Sequence, residues 1–182
     1  MRDERLEKLA EVLVNYSTNV KAGDKVAISA EDCALPFIKA VARAAVAKGA
    51  LVEYYVDIPD VDATILKNGT AEQYARPNIR FGACASSDVW ISAWGSENTK
   101  TMQSIPAERL KERRLANKDN RKIYSDRMGT GELRWCGTQF PTNGDAQNAG
   151  MNTKILYIRL AISMKPTLLP NGKKWRQNRK NG

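Results

Sequence analysis

Residues 25–58 read KVAISAEDCALPFIKAVARAAVAKGALVEYYVDI, and two structural periods follow one another within them. Val26 to Ser29 is a short apolar run entered through a turn around Gly23 and Asp24, which predicts a strand. From Leu35 to Lys48 the chain is rich in alanine, Pro36 suits a first helical turn, and Gly49 supplies the left-handed residue on which a helix ends. LVEYYVDI, residues 51–58, follows at once with the β-branched and aromatic content of a strand. Strand, helix and strand in this order form a βαβ unit, whose crossover is right-handed and whose strands are parallel.

The same alternation continues outward. Residues 3–16 place Leu6, Leu9, Ala10, Val12, Leu13 and Tyr16 at three-and-four spacing, which predicts an amphipathic helix with Asp3 as its N-cap. Between Asp60 and Ser87 the pattern is weak; one or two short helices fit, and Pro77 interrupts whatever precedes it. SDVWISAW, residues 87–94, reads as a strand, and Pro106 opens one long charged helix to Met128 with Leu110, Ile123, Tyr124 and Met128 as its apolar contacts. LRWCGTQF, residues 133–140, is a further strand stopped by Pro141. The expectation is an α/β three-layer domain with a mainly parallel sheet, Rossmann-like in topology.

A nucleotide fingerprint is missing from that topology. Phosphate-binding loops need glycines at a strand-to-helix turn so that backbone N–H groups can face the anion. The first such turn here, SAEDCALP, is acidic and glycine-free. Glu31 and Asp32 lie past the end of the first strand, where ligands of open α/β sheets bind, yet acids there also cap a helix and complement its dipole, and that role is expected of them. The run KERR, residues 111–114, reads as a solvated helix face because Glu108, Glu112 and Asp119 interrupt its charge. Trp90, Trp94 and Trp135 are strand aromatics expected in the core.

Other chemistries are restricted by composition. The chain has no histidine, which removes the commonest general base and metal ligand. Cys33, Cys84 and Cys136 are odd in number and widely spaced, so they are expected to be reduced, mostly buried thiols. No catalytic, cofactor-binding or metal-binding residue is assigned from the sequence. There is no charged, then apolar, then small-residue opening and no apolar run of about 18 residues, so a soluble cytoplasmic chain without membrane contact is expected.

The formal charge of +9 is unevenly distributed. Residues 1–151 hold 21 Lys or Arg against 20 Asp or Glu, while residues 152–182 hold eight Lys or Arg and no acid. Read at face value the tail is a basic arm, with Trp175 to stack on a base and cations to meet phosphates, on a small α/β binding module. Incidental polyanion binding is expected of it in either case.

Two stretches carry a family resemblance. Residues 5–55, from RLEKLAEVLV to ALVEYY, resemble the amino-terminal domain of the bacterial metalloaminopeptidases typified by aminopeptidase T. GELRWCGTQFPTNGDAQNAGM, residues 131–151, is similar to that family's segment with a Trp, a PT step, AQ and AGM, although Gly144-Asp145 differs from the small and apolar residues of the pattern. The resemblance implies a dimeric, two-domain exopeptidase that removes N-terminal residues from peptides with two divalent cations, cobalt, zinc or magnesium. It also implies that the Glu, His, Asp and Tyr side chains of the metal site belong to a carboxyl-terminal domain.

On that basis residues 1–142 are expected to be the α/β amino-terminal domain, and 143–151 the start of a linker to a catalytic domain absent from this chain. The family continues past AGM as an acidic helix, unlike NTKILYIRLAIS. Codons permitted for Asn152 onward, read from their third base, spell such a helix without a stop. Residues 152–182 are therefore expected to be an unstructured frameshift product, and the chain an inactive fragment of a peptidase.

Overall fold

The structure is a computed structural model, and it describes residues 3–153. Apart from Asn152 and Thr153, the basic tail lies outside the described residues. The elements, in order, are α1 (Glu4–Glu11), which continues as a π-helical stretch Val12–Ser17, β1 (Lys25–Glu31), a 3-10 turn (Asp32–Ala34), α2 (Leu35–Ala47) and β2 (Leu51–Asp57). Then come α3 (Pro59–Asn68), α4 (Ala71–Tyr74), α5 (Ile79–Ser86), β3 (Val89–Trp94), α6 (Ala107–Ala116), α7 (Lys118–Thr130), β4 (Arg134–Gln139) and α8 (Asn143–Asn148). Among the described residues no helix is long and apolar enough to cross a membrane.

The four strands form one all-parallel sheet in the order β2-β1-β3-β4. β1 is central, paired with β2 from Lys25 to Glu31 and with β3 from Val26 to Ala30. A strand with strands on both sides and helices on both faces is apolar on each face. Val26, Ala27, Ile28 and Ala30 accordingly expose 2 % or less.

On one face Val26, Ile28, Ala30, Val89, Ile91 and Ala93 pack with α1 and α2 in the main core. Helix α2 gives that core Phe37, Ile38 and Val41, and each such burial contributes roughly 1.5–3 kcal/mol. Asp3 caps α1 by accepting from the Arg5 amide at 2.9 Å, and Gly49 turns left-handed after α2 at φ +78°.

On the opposite face an aromatic row crosses the sheet. The Trp90 ring meets Phe81 of α5 and Tyr124 of α7 edge-on, with centroids 5.6 and 5.5 Å apart, and Tyr124 meets Trp135 at 6.4 Å. Trp90 also donates its indole N–H to the Ser29 hydroxyl of β1 at 2.8 Å. Of the tryptophans expected in the core, Trp94 and Trp135 are instead exposed, at 51 % and 39 %. Both lie toward the β4 edge, where the Trp94 ring sits over Gly137; a Cβ at Gly137 would meet that ring at 2.2 Å.

The long helix expected after Pro106 is two helices. Asn117 ends α6 and precedes α7 with φ −95° and ψ 14°. Its buried side chain accepts from the Asn78 amide at 2.7 Å and donates to the Arg113 carbonyl at 2.9 Å. The Asn117 side chain thus joins the end of α6 to the loop that carries Asn78. Ile123 and Met128 of α7, expected as apolar contacts, are exposed.

The weakly patterned middle holds three helices, α3 to α5, with Pro77 between the last two. A second small core of Leu66, Tyr74 and Ile105 anchors α3 and α4. Three arginines tie helix ends to their neighbours through carbonyl oxygens. Arg109 reaches Leu66 and Lys67 at 2.7 and 2.9 Å, Arg127 reaches Ala85 and Ser87, both at 2.7 Å, and Arg134 reaches Thr18 and Asn19 at 3.2 and 2.7 Å.

Truncating Ile28→Ala in the central strand is expected to cost about 2–5 kcal/mol, because the site is enclosed on all sides. Ile123→Ala on α7 is expected to change stability by less than about 0.5 kcal/mol. Urea unfolding of the two variants measures both.

Candidate functional site at the sheet switch point

From β1 the chain crosses to β2 on one side and then returns over β1 to β3 on the other. The loops after β1 and β3 therefore leave in opposite directions, and a cleft opens beyond their carboxyl ends, where open α/β sheets bind ligands. Here it is about 520 Å³, lined by Glu31 at the end of β1 rather than past it, Asp32 and Cys33 after β1, Ile58 and Asp60 after β2, and Glu97 after β3.

The loop after β3 is fixed by the turn that follows β4. Thr142 caps α8, its hydroxyl accepting from the Asp145 amide at 3.1 Å and donating to the Ser96 carbonyl at 2.7 Å. The Ser96 amide donates to the Asp145 carboxylate at 3.3 Å. A Cβ on Gly144 would lie 2.4 Å from the Ser96 oxygen and 2.5 Å from that of Glu97, so only glycine allows the two loops this close. Gly144-Asp145 is thus a docking device: one residue permits the approach and the next holds it.

Acidic groups dominate the electrostatics. Burial, and then the charges of Asp57, Asp32 and Asp145, raise the Glu31 carboxyl from its ordinary 4.5 to about 7. Asp57 is raised as well, chiefly by burial, against the opposing pull of Arg80, with which it forms an ion pair. Burial and the carboxylates of Glu31, Asp32 and Glu97 push the Cys33 thiol up to about 11, and its sulfur lies 3.2 Å from the Gly95 carbonyl. That thiol stays protonated at neutral pH and is no nucleophile.

The expected capping role holds for neither acid, because a 3-10 turn separates them from α2, whose N-cap is Ala34. Asp32 accepts only from the neighbouring Cys33 amide at 2.9 Å, and Glu31 makes no cap hydrogen bond. None of the three cysteines is in a disulfide; Cys84 is buried and Cys33 and Cys136 are half-buried. The KERR run is not wholly a solvated face. Glu112 accepts from the Tyr74 hydroxyl at 2.7 Å and Arg113 pairs with Asp62 at 2.5 Å. Those partners lie 38 and 51 residues away, beyond the reach of any local pattern.

The chain belongs to the thermophilic metalloprotease family (M29), whose family model matches residues 2–165. Among solved structures it is similar to wild-type AmpT from Thermus thermophilus, with 20% identity and a TM-score of 0.69, over 88% of this chain and 42% of that one. The chain thus spans less than half the length of that structure, and at this identity the likeness bears on the fold. No curated protein matches the chain.

The family implies a divalent metal, and the residues described do not fit one. Among them no group of three or more His, Cys, Asp or Glu side chains is arranged to hold an ion, and the sequence has no histidine to contribute. The cleft acids act on one another through charge without converging on a point.

A carboxyl raised in the folded state favours the protonated native form, so stability is lost as pH rises from 4.5 toward 7 and the loss is constant above. Glu31→Gln is expected to be more stable than the parent chain at neutral pH and to lose that advantage as pH falls to 4.5. Urea midpoints of both proteins across this range check it; a difference that does not vary with pH would refute the raised carboxyl.

Proposed function

We propose that this chain is the amino-terminal, non-catalytic part of a metal-dependent aminopeptidase, an exopeptidase that removes N-terminal residues from peptides. The observation that carries the reading is a family match over residues 2–165 in a chain that has no histidine and spans 42% of the solved relative. In this reading the metal pair, cobalt, zinc or magnesium, belongs to a second domain of the parent. The α/β domain described here walls the substrate cavity, its acidic switch-point cleft being the surface with the most strongly shifted carboxyl chemistry. The parent is a cytoplasmic homodimer, and the chain alone is inactive.

The acid-free segment from Asn152 is read in the same proposal as an out-of-frame continuation. The matched range overlaps its first fourteen residues and ends before residues 166–182. The nucleotide sequence across codons 148–160 decides the matter, and an intact family frame there would overturn it.

The purified 182-residue chain, given an aminoacyl chromogenic substrate with cobalt, zinc or magnesium, is expected to release no chromophore. Turnover that rises with added metal would show that this chain is itself a peptidase.

A further inference from the structure

Beside the acidic cleft, the junction of α4, α5, α6 and α7 gathers five arginines around two adjoining recesses of about 240 and 300 Å³. Arg76 follows α4, Arg80 lies in the first turn of α5, Arg113 and Arg114 end α6, and Arg121 lies in the first turn of α7. The two recesses share Asn78, Arg80 and Arg113. We propose that this junction is a binding site for a small phosphate-bearing anion, of the size of pyrophosphate or a phosphomonoester head.

Charge is the first argument. Residues 1–151 are close to neutral, with 21 basic and 20 acidic side chains, so five guanidinium groups in one place are not a reflection of composition. Gathering like charges costs free energy unless something offsets them. Asp57 takes up Arg80, and Asp62 takes up Arg113. None of the ion pairs among the described residues involves Arg76, Arg114 or Arg121. Five arginines against Asp57, Asp62 and Glu112 leave two positive charges at the junction.

Geometry is the second. Arg80 and Arg113 are each held by a carboxylate from another element, with side chains 28% and 24% exposed, so their forks are oriented before any ligand arrives. A guanidinium has five N–H donors, and one ion pair leaves donors to spare. Asn117 and Asn120 fasten the loop that carries Asn78 to the two arginine-bearing helices. The Tyr74 hydroxyl is engaged by Glu112 and is not available to a ligand.

The chemistry of the ligand follows from the count and the space. A carboxylate carries one charge and would leave the junction positive, whereas a phosphoryl or pyrophosphoryl group carries two or more and accepts several forked donors at once. The larger recess, at about 300 Å³, is at the bottom of the range for drug-sized ligands, which favours a head group over a whole nucleotide. This site is independent of whether the parent cleaves peptides.

The test is calorimetric titration of the 182-residue chain with inorganic pyrophosphate at low salt, beside two full-length variants. One carries Arg76→Gln, Arg114→Gln and Arg121→Gln, all exposed positions that should fold normally. The other carries Lys173→Gln, Lys174→Gln, Arg176→Gln, Arg179→Gln and Lys180→Gln in the basic tail. Affinity is expected to fall at least about tenfold in the first variant and stay within about twofold in the second. Equal loss in both, loss in the tail variant alone, no binding by the parent at about 1 mM, or equal affinity for glutarate would each overturn the proposal.

Discussion

A parallel strand hydrogen-bonded on both sides and covered on both faces has no direction in which a polar side chain can reach water, and β1 is built under that constraint. Its residues from Val26 to Ala30 are buried, and Ser29, the one polar group among them, receives the Trp90 indole N–H. Because β1 is central, its two neighbours must be reached by crossovers that leave in opposite directions. The cleft beyond its carboxyl end, and the acids around it, are consequences of that reversal. Glu31, at the carboxyl end of β1, is still half-buried, which is why burial leads the causes of its shift.

What could be seen in the sequence was what depends on neighbours along the chain. The βαβ unit over residues 25–58 announces itself through period, alanine content and the glycine at position 49, and the structure has these elements within a residue or a few of the expected bounds. The break at Asn117 could not be seen, since the residue's partner, Asn78, lies 39 residues earlier. The exposure of Trp94 and Trp135 was equally hidden. Both alternate correctly along their strands, but the helices on that face cover Trp90 and stop short of the sheet edge.

At the candidate site, position was legible and role was not. Glu31 and Asp32 stand where an open sheet places its ligand, yet the raised carboxyl of Glu31 depends on burial and on Asp57 of β2 and Asp145 of α8, which arrive from distant parts of the chain. The arginines divide in the same way. Arg109, Arg127 and Arg134 satisfy carbonyls at helix ends, the last two while also pairing with Glu132 and Asp24, Arg80 and Arg113 meet aspartates, and Arg76, Arg114 and Arg121 pair with no acid among the described residues. Identical letters in the sequence thus perform three jobs that only the fold distinguishes.

The strand order leaves β2 at one margin of the sheet, with its outer row of N–H and C=O groups facing no strand among the described residues. Leu51 and Tyr54 on it are 61% and 65% exposed, and Glu53 is the charge that stands between them. A margin of this kind is a template for association between chains, and of the two carboxylates on it only Glu53 is exposed, Asp57 being drawn into its ion pair with Arg80. Colloidal behaviour at high concentration is therefore written into the exposed side chains of that rim.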